Sequence, residues 1–217
     1  VSSDVMDKAI VEVAQTYDIV KQGKYYYDKS DFLTERKMAA KIAELACVKP
    51  SKEAEIEKAF IEWQQENSMI LSPRQAEAVR NLKYRISIVT GGPGTGKTTC
   101  LRAIMDVYHK VWPSEHILLM APTGLAAKRM AESTKSATIH KACCLVPADN
   151  NSGFVAQSEC RICGFVGIDE MSMVGEHLFA FAIDAVLNSP STRIVLLGDT
   201  DQLAPVSRGD VLRDLIQ

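Results

Sequence analysis

The chain has 217 residues, of which 47% are hydrophobic and 24% are charged, and its formal net charge is −2. This composition predicts a folded globular protein with one large or two small domains, and it excludes a disordered chain. A charge close to zero means that any nucleic-acid contact must come from a local surface. No apolar run approaches the roughly 18 residues that a membrane span needs. The amino terminus has no secretory signal, so we expect a cytoplasmic protein without membrane contact.

The residues before Leu71 predict a mainly helical amino-terminal module, 1–70. Apolar residues recur at helical spacing behind capping residues in three segments, 3–17, 31–46 and 52–65. Between the first two, Ile19–Val20 and Tyr25–Tyr27 flank a glycine-containing turn and predict a short hairpin. A helix, a hairpin and further helices fit a small winged-helix-like module. The three tyrosines could stack on nucleic-acid bases, but cross-strand packing is the favoured interpretation.

The residues from Leu71 onward predict an α/β domain, 71–217, with a parallel sheet. Four short apolar runs without polar alternation are typical of strands buried on both faces, and they lie at 86–89, 117–120, 165–168 and 194–197. The segments between them are long enough for crossover helices, which we expect at 99–110, 125–133 and 175–187.

A phosphate-binding loop lies between the first of these strands and the first of these helices. Residues 91–98 read Gly-Gly-Pro-Gly-Thr-Gly-Lys-Thr. Glycines let backbone N–H groups turn toward a polyphosphate, and the following helix presents its positive dipole end. Lys97 would reach the β and γ phosphates, and the Thr98 hydroxyl would hold Mg²⁺. The residues expected to contact the nucleotide are Gly91, Gly92, Pro93, Gly94, Thr95, Gly96, Lys97, Thr98 and Thr99. A glycine-rich turn that binds nothing would leave the lysine and hydroxyl pair unexplained.

Two polar clusters follow the later strands and are expected at the same sheet edge. Asp169 and Glu170 follow the strand at 165–168. Asp169 would bind Mg²⁺, and Glu170 would orient and deprotonate the water that attacks the γ phosphate. Gln202, after the strand at 194–197, can donate to and accept from a γ phosphate or its attacking water. Taken alone, the second cluster would be interpreted as a polar turn stabilised by Asp199.

Four of the six cysteines could form a zinc site, namely Cys143, Cys144, Cys160 and Cys163. An adjacent pair has poorer ligand geometry than two Cys-x-x-Cys knuckles. Reduced thiols packed as small hydrophobic side chains are therefore the favoured interpretation, and disulfides are not expected.

Six ordered motifs between Leu71 and Val206 resemble the first RecA-like domain of superfamily 1 helicases, most closely the RecD-like branch that includes the exonuclease V alpha subunit. They are Leu71–Gln75 (the Q motif), Gly91–Thr99 (motif I), Ala121–Met130 (motif Ia), Thr138–His140, Asp169–Met173 (motif II) and Gly198–Val206 (motif III). The tail from Arg208 to Leu215 is also similar to RecD, where PIF-type helicases diverge. Ala204 departs from the family, which commonly has proline there.

The resemblance implies roles that the residues alone do not establish. Gln75 would recognise the adenine edge of ATP, and Gln202 would link hydrolysis to movement. The backbone of single-stranded DNA would be contacted by Pro122, Thr123, Gly124, Thr138 and His140. Hydroxyl and N–H donors position phosphates without reading sequence. For His140, a hydrogen-bonded structural histidine is an equally good interpretation.

The function implied by the resemblance is a DNA helicase motor that moves 5′ to 3′ in repair, recombination or conjugation, with other repair subunits as further partners. The alternative is an ATP-controlled binding module that does not unwind DNA. The motifs of a second RecA-like domain are missing, so we expect a fragment of a longer enzyme. An arginine from that domain is worth on the order of 10³ in rate. The fragment alone is therefore expected to bind ATP weakly, hydrolyse it slowly and not unwind duplex DNA.

Overall fold

The computed structural model describes residues 8, 12–13, 18–131, 136–147, 154–156, 163–187 and 191–217. The helix predicted at 3–17 lies almost entirely outside these residues, as does Cys160 of the zinc hypothesis. The chain forms two compact units, Val1–Lys41 and Ile42–Gln217. Among the described residues, no helix combines the length and the apolar character that crossing a membrane requires.

The helices are α1 (Lys29–Ala46), α2 (Glu53–Glu66), α3 (Pro73–Arg80), α4 (Lys97–Val111), α5 (Gly124–Ala131), α6 (Ile139–Ala142), α7 (Glu176–Val186) and α8 (Val211–Ile216). Two 3₁₀ turns lie at Asn81–Lys83 and Met171–Met173. The helices expected at 31–46, 52–65, 99–110 and 175–187 are confirmed to within two residues. The helix expected at 125–133 begins at Gly124 and is described as far as Ala131.

The first unit contains the predicted hairpin, which is confirmed. Strands β1 (Ile19–Gln22) and β2 (Tyr25–Asp28) pair antiparallel, and Gly23 has a φ of 59° in the turn between them. The Tyr27 ring packs 5.7 Å from the Phe32 ring, which favours packing over base stacking for this tyrosine. Tyr25 and Tyr26 are exposed. Base stacking by those two side chains stays a hypothesis.

The second unit begins well before Leu71, where the sequence placed its domain boundary. Helix α2 buries Phe60 and Trp63 in the same core as Ile104 of α4. The Trp63 indole N–H also donates to Asp106 of α4 at 2.9 Å. The apolar stripe of α2 therefore covers the α/β core, and a change in composition along the chain does not mark the end of a packed unit.

The second unit is built on a parallel sheet, as predicted, and the sheet has five strands. Its strands are β3 (Ile86–Thr90), β4 (Ile117–Ala121), β5 (Ser136–Thr138), β8 (Phe165–Ile168) and β9 (Arg193–Gly198), arranged in the order β3-β9-β8-β4-β5. Every residue of β8 and β9 is buried, as expected for central parallel strands covered on both faces. A separate hairpin pairs β6 (Leu145–Pro147) with β7 (Phe154–Ala156). The sequence predicted neither that hairpin nor β5.

Candidate nucleotide site

The predicted site residues are brought to one edge of the sheet because all five strands run parallel. Strand β3 leads into the phosphate-binding loop, β8 into Asp169 and β9 into Asp199. Strand β9 lies between β3 and β8, so the three segments are neighbours. The Gly91 N–H, at the start of the loop, donates to the Gly198 carbonyl at 3.2 Å. Open α/β sheets bind their ligands at this carboxyl edge.

The phosphate-binding loop needs glycine at two positions. Gly94 and Gly96 have φ angles of 74° and 84°, in the left-handed region that L side chains rarely adopt. Thr95 closes the turn, because its Oγ1 donates to the Gly92 carbonyl at 2.8 Å. Helix α4 begins immediately afterwards, so its free N–H groups and positive dipole end lie beside the loop.

The Lys97 ammonium lies inside this loop. Its Nζ donates to the Gly92 carbonyl at 3.1 Å and also to the Gly91 carbonyl. The side chain is half-buried, which limits the directions that its charge can face. The loop therefore holds a positive charge next to the helix end, in the arrangement that binds polyphosphates.

Asp169 lies close enough to interact electrostatically with Lys97. Its backbone N–H donates to the Met120 carbonyl at 2.9 Å, and its Oδ1 accepts from the Glu170 N–H at 2.8 Å. Burial raises the pKa of Asp169 above that of an ordinary aspartate, while the Glu170 N–H and the Lys97 charge oppose the rise. The carboxylate is fixed at the sheet edge at the cost of being partly desolvated.

The donor set fits a magnesium ion. Thr98 is exposed in the first turn of α4, and Asp169 interacts with Lys97 at the start of that helix. A hydroxyl and a carboxylate are hard oxygen ligands, and Mg²⁺ completes its shell with phosphate oxygens and water. These two side chains would hold the ion against the triphosphate.

Glu170 has a left-handed backbone, with a φ of 55°. Such a conformation costs a non-glycine residue about 1–2 kcal/mol. Strained residues of this kind cluster at functional sites, where the surrounding structure holds them in place. The strain marks the predicted general base as a position whose geometry is imposed by its surroundings.

Two further residues order this edge, and one of them, Asp199, stabilises the polar turn as the sequence suggested. Asp199 is only 3% exposed, and its Oδ1 accepts from the Asp201 N–H at 3.0 Å, which orders the turn that carries Gln202. Ser172, which is 4% exposed, donates from its Oγ to Gln202 Oε1 at 2.9 Å. Burial of a polar side chain is not visible in a motif string, so the role of Ser172 could not be predicted.

Gln75 links helix α3 to the phosphate-binding loop. Its Oε1 accepts from the Ser72 N–H at 3.0 Å in a capping box, and its Nε2 donates to the Thr95 carbonyl at 3.1 Å. An amide has two donor hydrogens and two acceptor lone pairs, so one of each stays available to an adenine edge.

A cavity of about 260 Å³ opens beside Gln75. Its lining combines the α3 residues Arg74 and Ala78 with Val89 of β3 and the thiol of Cys100. Burial raises the pKa of Cys100 to about 11, so the thiol is neutral and apolar at physiological pH. The lining is mixed, with an apolar wall and several polar and charged side chains beside the Gln75 amide, a combination suited to an organic ligand.

The predicted DNA-contacting residues follow β4 and β5, on the side of the sheet away from β3. The register pairs Ala121 with Thr138, so Pro122 and Thr138 leave the sheet next to each other. Thr123 Oγ1 accepts from the Ala126 N–H at 3.2 Å and caps α5. Thr138 Oγ1 accepts from the Lys141 N–H at 3.3 Å and caps α6. In each case the hydroxyl hydrogen stays available to a phosphate. Gly124 is exposed, and His140 is half-buried.

A family model described as an AAA domain matches residues 75–208, well over half of the chain. The chain belongs to the AAA domain family. The matched region begins at Gln75 and includes both strand-end clusters, Asp169–Glu170 and Asp199–Gln202. Family membership and the loop geometry together indicate a nucleotide-using domain.

Relatives of this AAA domain chain include the ATP-dependent RecD2 DNA helicase of Deinococcus radiodurans, which is 35% identical over 150 residues, or 68% of this chain and 20% of that protein. The RecBCD enzyme subunit RecD of Haemophilus influenzae is 34% identical over 160 residues, which cover 63% of this chain and 24% of that protein. The predicted resemblance to RecD-like helicases is confirmed. The chain spans about a fifth to a quarter of the length of these two relatives.

Among solved structures, a Pif1 helicase from Candida albicans is 28% identical, with a TM-score of 0.47 over 64% of this chain and 34% of that chain.

Proposed function

We propose that the chain is the ATP-hydrolysing motor domain of a DNA helicase, in which hydrolysis drives 5′-to-3′ movement along single-stranded DNA. The observation that carries this proposal is the meeting of three groups at one sheet edge: Lys97 in its loop, Asp169 with the strained Glu170, and the turn that carries Gln202. The setting would be repair, recombination or conjugation in the cytoplasm, together with other repair subunits. The similarity to an ATP-dependent RecD2 DNA helicase and to a RecBCD enzyme subunit RecD supports the helicase proposal.

In the proposed reaction each group has one task. Lys97 and the loop N–H groups bind the β and γ phosphates, and Thr98 and Asp169 hold Mg²⁺. Glu170 takes a proton from the attacking water. The Nε2 of Gln202 donates to the γ phosphate or the water, so the motif III turn responds to hydrolysis. Bound Mg²⁺ would offset the charge that develops on the transferred phosphoryl group.

The proposed DNA contact lies along the outer part of the same edge, at the ends of β4 and β5. Pro122, Thr123, Gly124, Thr138 and His140 would line the path of the strand. Two threonine hydroxyls and the N–H groups that begin α5 and α6 are donors suited to phosphate oxygens. A motor needs such a surface next to its γ-phosphate sensor.

The test is steady-state ATP hydrolysis by the protein in its full length, with and without single-stranded DNA. We expect strong stimulation by single-stranded DNA, and strand displacement only from substrates with a free 5′ tail. If ATP changes DNA affinity while DNA leaves turnover unchanged, the protein is an ATP-controlled binding module and the motor proposal fails.

A matched pair of variants at Thr123 tests the DNA surface. Asparagine and aspartate both cap helices well, so Thr123→Asn and Thr123→Asp should both preserve α5. The aspartate places a negative charge against DNA phosphates, and the asparagine does not. We expect Thr123→Asp to lose DNA stimulation while Thr123→Asn keeps most of it, with equal ATP hydrolysis in the absence of DNA. Equal stimulation in the two variants would remove Thr123 from the proposed surface.

A further inference from the structure

Motifs II and III are joined by a side chain to which the sequence assigned no role. Ser172 lies in the 3₁₀ turn Met171–Met173, two residues after Glu170, and is buried. Its hydroxyl donates to Gln202 Oε1 at 2.9 Å. Gln202 itself is exposed, and its backbone N–H donates to the Asp199 carbonyl at 3.3 Å. The Ser172 hydroxyl therefore restrains an amide whose side chain lies at the surface.

The backbones of the two motifs also touch. Strands β8 and β9 are neighbours, with Ile168 paired to Leu196. A Cβ atom added to Gly198 would lie 3.3 Å from the Ser172 backbone nitrogen and 2.5 Å from Leu212 Cδ2. A side chain at Gly198 would crowd the Ser172 turn, so the position of that turn relative to β9 is set by packing as well as by the hydrogen bond.

The chemistry of an amide makes the Ser172 bond directional. Rotation about the last torsion of a glutamine is broad and roughly two-fold, so a free Gln202 would present its oxygen as readily as its nitrogen. Phosphate oxygens only accept hydrogen bonds, and an amide oxygen facing them would be repelled. A hydroxyl that donates to Oε1 holds the oxygen away and leaves the Nε2 hydrogens for the nucleotide.

We propose that Ser172 is a positioning residue for ATP hydrolysis, which fixes the amide orientation of Gln202 and so couples the turn of the general base to the γ-phosphate sensor. The proposal rests on the proposed ATP hydrolysis at this site. Ser172 acts through Gln202 and does not itself touch the phosphates.

A double-mutant cycle in the full-length protein tests this coupling, with DNA-stimulated ATP hydrolysis as the readout. Ser172→Ala should lower kcat about three- to tenfold, the effect of one hydrogen bond, and leave KM for ATP nearly unchanged. Gln202→Ala should lower kcat further. The double variant should match Gln202→Ala alone, because Ser172 has no role once the amide is gone.

Ser51→Ala is the matched control, because it also removes a serine hydroxyl in a side-chain hydrogen bond. Ser51 Oγ accepts from Arg193 Nη2 at 2.7 Å, at the amino end of β9. Its effect on kcat should multiply with that of Gln202→Ala. Multiplication of the Ser172 and Gln202 effects, or an unchanged kcat in Ser172→Ala, would overturn the positioning role alone. A wild-type protein without ATP hydrolysis would overturn the proposed function and this inference together.

Discussion

The two ends of strand β9 differ in whether their polar side chains are buried or exposed. At the amino end, the Arg193 guanidinium is buried, donates from Nε to the Leu82 carbonyl at 2.9 Å, and lies 4.1 Å from the centre of the Trp112 ring. At the carboxyl end, Gly198 leads into a turn whose Gln202 side chain is exposed. One end of strand β9 therefore belongs to a buried, hydrogen-bonded cluster, and the other end belongs to the open carboxyl edge of the sheet.

The backbone does not follow the same division. Left-handed residues lie at the carboxyl edge, at Gly94, Gly96 and Glu170, but Lys52 also has a φ of 58° beside Trp112 at the other end. The Trp112 ring at the opposite end stacks on Tyr108 at 4.7 Å, and Tyr108 in turn packs on Phe165. The contrast separates a packed end of the sheet from an open end that a ligand can reach. Changes at the two ends should therefore separate stability from activity.

Replacing Arg193 should disrupt the packing at the amino end of β9. We expect this change to have the largest effect on stability. Arg193→Ala removes three hydrogen bonds from a charged donor and a desolvated cation–π contact, so we expect a loss of about 3 kcal/mol in the free energy of unfolding. Chemical denaturation measures it. Arg193→Lys keeps the charge but not the planar guanidinium. Its free energy of unfolding should therefore lie between those of the wild type and Arg193→Ala. A stability loss as small as that of an ordinary surface substitution would contradict the structural assignment.

Replacing Gly96 should separate base binding from phosphate binding at the carboxyl edge of the sheet. Gly96→Ala must place a side chain at a φ of 84°, with its Cβ 2.6 Å from Gln75 Nε2. We expect a stability loss of about 1–2 kcal/mol. We also expect a roughly fivefold weaker affinity for ATP, because the Gln75 bond to the Thr95 carbonyl is displaced.

Gly94→Ala is the matched control, because it has a φ of 74° and no atom within 4 Å of the added Cβ. Calorimetric titration with ATP and with inorganic triphosphate distinguishes the two variants. Gly96→Ala should weaken ATP more than triphosphate, whereas Gly94→Ala should affect both alike. The same pattern in both variants would show that Gln75 does not support base binding.

The smallest expected effect is on the pH dependence of stability, and it comes from the burial of Asp169. In the unfolded chain its pKa is about 3.9, and burial raises the pKa in the folded chain. The folded state holds the proton more tightly, so this contribution to stability is present below about pH 3.9 and is lost as the pH rises through the raised pKa.

Asp169→Asn removes this titration and keeps an acceptor for the Glu170 N–H. In the presence of EDTA, the melting temperature of the variant relative to wild type should rise as the pH is raised from 4 to neutral, while magnesium-dependent hydrolysis is lost. A difference in melting temperature that does not change with pH would show that burial of the carboxylate costs the fold little.

The sequence was sufficient to predict where the phosphate-binding loop and the acidic pair lie in the fold. Lys97 and Asp169 were predicted because a glycine-rich loop and an acidic pair each follow an apolar run, and parallel strands must bring those ends together. Strand β5 was not predicted, because three residues are too few to show a period. The extent of the second unit was also missed, since Phe60 and Ile104 join one core only after folding.

The finer parts of the site depend on contacts between distant residues. The Ser172 bond to Gln202 spans 30 positions, and the Gln75 bond to Thr95 spans 20. The left-handed backbone of Glu170 comes from its surroundings, because glutamate has no preference for that conformation. The sequence shows that these residues belong to the motifs, but it does not show which distant residues they contact.

The most direct measurement is steady-state ATP hydrolysis with Mg²⁺ by the wild type and by Lys97→Ala, beside their melting temperatures. We predict that the variant loses about 10²- to 10³-fold in rate, as when a preorganised donor is removed, and that it melts at the same temperature as the wild type, because Lys97 belongs to the open end of the sheet. Hydrolysis that survives in Lys97→Ala, or a loss of activity that coincides with unfolding, would contradict it.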